Sequence, residues 1–214
     1  RNFYYKSKYY NKSLITSEPS RIYYEPSSFL LAPLVSKDSE IYQIKNISPD
    51  LIWENSTTNS LEFENLHTFL WLTNIDRKDS RIATQSIINS WINKYYNYDI
   101  KSWEISVIAK RIMAWSSNTD ITLYKSDNIF KKKFFLSLLK QSNYLYKNKN
   151  NLPSDSSKII CLSAIILSGL IFEEISSNFE SGIKELEKVI ANYFDKSGFP
   201  KSRNPEDVFI CIRY

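Results

Sequence analysis

Glycine is almost missing from this chain of 214 residues: only Gly169, Gly182 and Gly198 occur. Phosphate cradles of the G-x-G-x-x-G or P-loop kind need several closely spaced glycines, so those nucleotide sites are excluded. Histidine occurs once, at His67, which rules out H-E-x-x-H and zinc sites built on several histidines. The two cysteines, Cys161 and Cys211, lie within helical patterns and form neither a disulfide framework nor a Cys-x-x-Cys pair. Long apolar runs are scarce too. Ile159 to Phe172 is too short to span a bilayer and is bounded by Lys158 and by Glu173-Glu174. The sequence thus asks for no cofactor, no metal and no transmembrane segment. A standard metalloprotease, Rossmann enzyme or kinase is excluded.

What is abundant is aromatic and basic. Aromatic residues make up 15% of the chain, and tyrosine supplies 15 of them. Their flat apolar faces and polar edges serve core packing, and also serve to grip sugar rings. The net charge of +5 favours an anionic partner, whether acidic glycan, nucleic acid or membrane surface. The abundance of Lys, Asn and Ile equally fits the codon bias of an AT-rich genome. A nucleic-acid backbone could use Lys131-Lys132-Lys133 and Lys147 with Lys149. No recognition motif accompanies them, so no nucleic-acid partner is expected. The length suits one domain or most of a larger one, with 43% hydrophobic residues to fill a core. The chain begins with Arg1 and shows no signal peptide, and it stops inside a helix that starts at Pro205. Both ends are expected to be cut.

Residues 1–60 read as an irregular N-terminal segment. The first 28 are tyrosine-rich and lack clean periodicity, with Pro19 and Pro26, and suit irregular chain or a loose helix ahead of the main domain; residues 29–60 hold short apolar pieces that suggest loops and a strand or two. From Leu61 the spacing of apolar residues predicts helices near 61–75, 79–96, 103–117, 127–147, 156–176, 179–195 and 205–214. Short polar connections between them imply antiparallel neighbours, and so an all-α domain of helical hairpins over 61–214.

The helix around Trp103 to Trp115 stands apart. Ile105, Ile108, Ala109, Ile112 and Trp115 share one face, yet Val107 and Ala114 lie off it, so the helix is apolar on more than one side and is expected to be surrounded by others. Arg111 sits inside it, and a buried guanidinium needs a partner. Glu104, two turns earlier, could pair with it; alternatively Arg111 could neutralise a bound carboxylate.

The run W-E-x6-R-I-x2-W over residues 103–115 resembles a signature of the heparinase II/III-like family of polysaccharide lyases. Upstream, Asn65-Leu66-His67 followed by Phe69, Trp71 and Leu72 is similar to the family's Asn-Leu-His segment. Downstream, Ala164 to Phe172 is similar to its apolar helix ending in A-G-L-F, and Gly198 to Pro205 to its Asp-Gly-Gly-x-x-x-Ser-Pro turn. The nearest likeness is to short alphaproteobacterial members with S-R-N-P or S-R-S-P at that turn. The resemblance covers most of residues 29–212. It implies an incomplete α/α toroid, followed in longer members by a C-terminal β-sandwich that completes the cleft. It also implies β-elimination of an acidic, uronate-containing polysaccharide, without a cofactor, at a periplasmic or cell-envelope location.

On that resemblance His67 and Arg203 are the candidate catalytic residues, and Asn65, Trp103, Arg111, Trp115 and Asn204 the candidate substrate-binding residues, with His67, Arg111 and Arg203 converging on one groove. Each has a structural alternative. His67 and Asn65 suit a helix start, the tryptophans suit packing, and Asn204 with Pro205 suits a helix cap with Glu206 and Asp207 complementing the dipole. The chain also departs from the family. The Asn-His pair of characterised lyases falls at Ser156 and Ser157 here, and the Tyr-His pair at Asp207 and Val208. Serine is a poor carboxylate neutraliser and valine cannot be a base. By itself this chain is expected to be inactive, and a non-catalytic glycan-binding or scaffold module is the alternative.

Overall fold

The computed structural model describes residues 2–15, 17–19, 26, 48–54, 60–152 and 155–214. The described residues are mostly helical and contain no strand, so the all-α class holds. None of their helices is long and apolar enough to cross a membrane. In chain order the helices are α1 (Asn2–Lys6), α2 (Lys8–Ser13), α3 (Pro49–Glu54), α4 (Ser60–Thr68), α5 (Arg81–Tyr95), α6 (Ile105–Ser116), α7 (Thr119–Thr122), α8 (Asn128–Asn148), α9 (Ser156–Ile171), α10 (Ser177–Tyr193) and α11 (Pro205–Arg213).

Short side chains set several of these starts. Asp127 accepts from Phe130 N at 2.8 Å, Asp155 from Ser157 N at 2.9 Å and Asn204 from Glu206 N at 3.1 Å. Each satisfies an amide that the first helical turn leaves without a partner. The segment expected as one helix over 61–75 is divided. Phe69 takes a left-handed conformation (φ 58°), ending α4 and opening a 3-10 turn over Leu70–Asn74. That conformation costs an L-residue about 1 kcal/mol. The Phe69 ring is in return fully buried against Trp53, Trp71 and Trp115.

The core gathers on α6 and α9. Nine of the twelve residues of α6 are buried, so it is the inner helix its apolar sides predict. It packs against α9, α4 and α8. Helix α9 is buried along eleven of its sixteen residues and packs most extensively on α10. In the described parts of residues 1–60, α1, α2 and α3 form: the first two fit the loose-helix alternative, and α3 stands where loops or a strand were expected. Periodicity could not show α1 and α2, because docking supports them. Tyr5 Oη donates to Asn148 Oδ1 (2.7 Å), Asn143 Nδ2 donates to Leu14 O (2.8 Å), and Tyr5 and Tyr10 pack on Tyr144. The strand or two expected within 29–60 falls mostly outside the described residues.

Helices α9 and α10 approach closely at Gly169, where an added Cβ would lie 2.5 Å from Phe179 N and 3.1 Å from Asn178 C. Backbone cannot rotate out of the way, so Gly169→Ala is expected to destabilise the fold by roughly 1–3 kcal/mol despite alanine's better helix propensity. At Gly182 the added atom would meet side chains and no backbone, Ile166 Cγ1 at 2.6 Å and Ile165 Cγ2 at 3.6 Å. Ile166 must shift to admit it, but a side chain yields more readily than backbone, so Gly182→Ala is expected to cost less than Gly169→Ala. Urea unfolding of the two variants side by side checks the contrast.

Candidate functional site

The sequence-predicted residues fall in three places: a closed hub, an exposed turn and an open cleft. The closed one surrounds Arg111, which α6 delivers to the centre of the core. Its guanidinium is fully buried and donates from Nε to Gln141 Oε1 (2.7 Å), from Nη1 to His67 O (2.9 Å) and from Nη2 to Ser102 O (3.0 Å). It lies 4.1 Å from the centroid of the Trp91 ring. Burial pulls its pKa well below the usual arginine value, since desolvation penalises the charged form. Of the two roles left open for Arg111, the pair with Glu104 does not form: the Glu104 carboxylate caps α6, accepting from Val107 N (3.1 Å) and Ser106 Oγ (2.5 Å). A carboxylate at the N-cap is held by orphan amides and the helix dipole, which leaves neutral oxygens to satisfy the arginine.

His67 adjoins this hub. Its ring is fully buried, stacked on Phe63 at 3.9 Å, with Trp53 and Tyr95 at its edges. Trp91 Nε1 donates to His67 Nδ1 at 3.0 Å, which places the imidazole proton on Nε2, a buried atom with no hydrogen-bond partner. Burial, and secondarily the Arg111 charge, lower the His67 pKa to about 3. A neutral, enclosed imidazole whose basic nitrogen already accepts a bond cannot collect a proton from a substrate in this conformation. Trp103 and Trp115 are buried as well. Trp103 donates to Tyr95 O (2.9 Å) and packs on Tyr144; Trp115 packs between Trp91, Phe69 and Phe134.

Arg203 belongs to a different place. After α10 the chain turns at Gly198 (φ 80°), and the Asp195 carboxylate accepts from the amides of Ser197 and Phe199. The Phe199 amide above all, then the Ser197 amide and the Arg203 charge, hold the Asp195 carboxyl below its usual range against an opposing desolvation. Arg203 pairs with Asp195 at 2.7 Å and remains largely exposed. A largely exposed side chain on this turn and the sealed His67–Arg111 hub do not line one groove. Asn204, exposed, is the cap of α11, with Pro205 in the first turn as its spacing predicts. The positions aligned with the lyase pairs also find local roles. Ser157 N receives the Asp155 cap, and Asp207 accepts from Ser202 Oγ. The Tyr193 hydroxyl faces Asp207 and Ser156 without closing a hydrogen bond of ordinary geometry. Burial first, then Asp207, raises its pKa to about 12, away from the range of a useful base.

The open arrangement is a cleft of about 420 Å³ over the end of α4, walled by Glu62, Asn65, Trp71, Asn74 and Arg213. That is within the ordinary size of small-ligand sites. Trp71 is half-buried, held by its Nε1 bond to Leu66 O (3.1 Å) and by stacking on Phe69. Asn65 is exposed at the rim. Arg213 comes from the last turn of α11, and its Nε is buried without an acceptor. Of the sequence-predicted site residues only Asn65 reaches this cleft. Asn74, Glu62 and Arg213 were missed, since nothing in their local spacing marks them. Trp71 was visible only as an aromatic neighbour of the Asn-Leu-His segment. Among the described residues no group of His, Cys, Asp or Glu could hold a metal.

Comparison with family models, with curated proteins and with solved structures finds no match to this chain.

Proposed function

We propose that this chain is a glycan-binding helical domain of the heparinase II/III-like kind, taking an acidic sugar in the Trp71 cleft without cleaving it. The cleft carries the reading: one fixed indole is surrounded by hydroxyl-compatible donors and acceptors, Asn65, Asn74 and Glu62, beside an arginine N–H that lacks an acceptor. A sugar ring needs an apolar platform and such a mixed polar rim, and Arg213 would meet its carboxylate. The toroid belongs to the same proposal. It is supported by the contacts of Gly169 with Phe179 and of Gly182 with Ile166, which fit α9 and α10 running in opposite directions, and by the inner position of α6. Binding without elimination is favoured because the sole imidazole is sealed beside Arg111, and because the Tyr193 phenolate that could act as a base is scarcely formed near neutrality. A C-terminal β-sandwich partner and an envelope location remain part of the family reading.

Titration with uronate oligosaccharides, followed calorimetrically, tests this. Saturable binding is expected, weakened roughly tenfold or more in Trp71→Ala, as loss of 1.4 kcal/mol or more of stacking requires. Absence of binding would overturn the reading. So would growth of the ultraviolet band of unsaturated uronates, which would instead establish the lyase.

A further inference from the structure

A second concave surface, of about 250 Å³, lies where α1 and α2 meet the loop after α5. Lys6, Lys8, Lys12 and Lys140 line it together with Asn11 and Asn97, and no carboxylate does. We propose that this basin is a binding site for a compact oxyanion, the phosphate or sulfate group of a small ligand.

Lys140 anchors the argument. It stands in α8 with only 1% of its surface exposed, and both of its hydrogen-bond acceptors are neutral: Tyr96 O at 2.9 Å and Asn97 Oδ1 at 2.8 Å. Its ammonium also lies 4.1 Å from the Tyr96 ring centroid. An ammonium has three N–H donors, so one remains for a ligand. Burial lowers the Lys140 pKa to about 8, the mark of a cation without a counter-charge. The other three lysines are exposed, and among the described residues none has an ion pair, whereas Lys132, Lys149 and Lys158 all do.

The walls are built rather than loose. Asn11 donates to Tyr5 O (2.9 Å) and Ser7 O (3.0 Å) and accepts from Tyr98 N (3.1 Å), tying α2 to the segment that also holds Lys140. Convergence of four like charges on one concavity is unfavourable until an anion enters it. A tetrahedral dianion can accept from several ammonium groups at once, each bond strengthened by charge. Lysine acts here as a point charge, so phosphate and sulfate share the chemistry and the titrations must separate them.

The test uses the intact chain at pH 7.5 with inorganic phosphate and inorganic sulfate as probes, in separate arms against sodium chloride of matched ionic strength. Saturable rises in thermal midpoint are expected with at least one oxyanion and not with chloride, and the tighter of the two identifies the source group. The double variant Lys8→Gln/Lys12→Gln alters only exposed side chains and is expected to weaken that response about tenfold. Lys140→Met is expected to abolish it if that variant folds. Equal responses to chloride, or a double variant with unchanged affinity, would overturn the proposal. The basin shares no residue with the Trp71 cleft, so either site can fail without the other.

Discussion

Replacing Arg111 with alanine is expected to remove on the order of 4 kcal/mol of stability. Three buried oxygens, His67 O, Ser102 O and Gln141 Oε1, would lose their donors together, and a void would open beside Trp91. Each orphaned acceptor costs about 1–3 kcal/mol, and relief from burying an unpaired charge offsets part of the total. Most single domains have only about 5–15 kcal/mol to lose, so the variant should unfold at much lower urea. Lysine cannot rescue it, because one ammonium cannot reproduce the three-way fork. Arg111→Met restores volume and removes the charge, and is expected to fall between alanine and the native protein. An alanine variant with native stability would contradict the three-acceptor geometry.

Mild acid is expected to destabilise the protein well before its carboxylates titrate. His67 has a folded pKa of about 3 against about 6.5 unfolded, so the unfolded chain takes up a proton that the native state refuses. The penalty is absent above the unfolded value. It grows by about 1.36 kcal/mol per pH unit below it, reaching about 2 kcal/mol at pH 5 and about 4 kcal/mol near pH 3, where it levels off. Because the chain has one histidine, the window from pH 6.5 to 5 belongs to His67. The carboxyls held low, Glu185 and Asp195, act at lower pH, where stability present above their unfolded values is lost as they protonate. Urea unfolding at pH 7, 6 and 5 should show the slope in the native protein, and a nearly flat profile in His67→Gln. A flat native profile would mean that the imidazole is not sealed.

Both predictions concern one hub that the sequence revealed only in part. Helix α6 was legible because its apolar residues exceed one face, and the cap at Asn204-Pro205 because every participant is local. The Arg111 partners were not legible: they are a glutamine and two backbone oxygens, and carbonyls leave no trace in composition. The candidate acid Glu104 was visible, but its competing role as a cap depends on the first turn of α6 rather than on its spacing from Arg111. The break at Phe69 was hidden for a related reason, since the aromatic contacts that outweigh its left-handed backbone come from distant helices. His67 was noticed for its chemistry. Its burial, which decides that chemistry, depends on Phe63, Trp91 and Tyr95 closing around it.

The distribution of tryptophans has an optical consequence. Trp53, Trp91, Trp103 and Trp115 are sealed within the core, whereas Trp71 alone of the five lines an open cleft. A water-soluble quencher such as iodide therefore reaches essentially one emitter in the native state, and its protection by an added sugar reports occupancy of the cleft without any label.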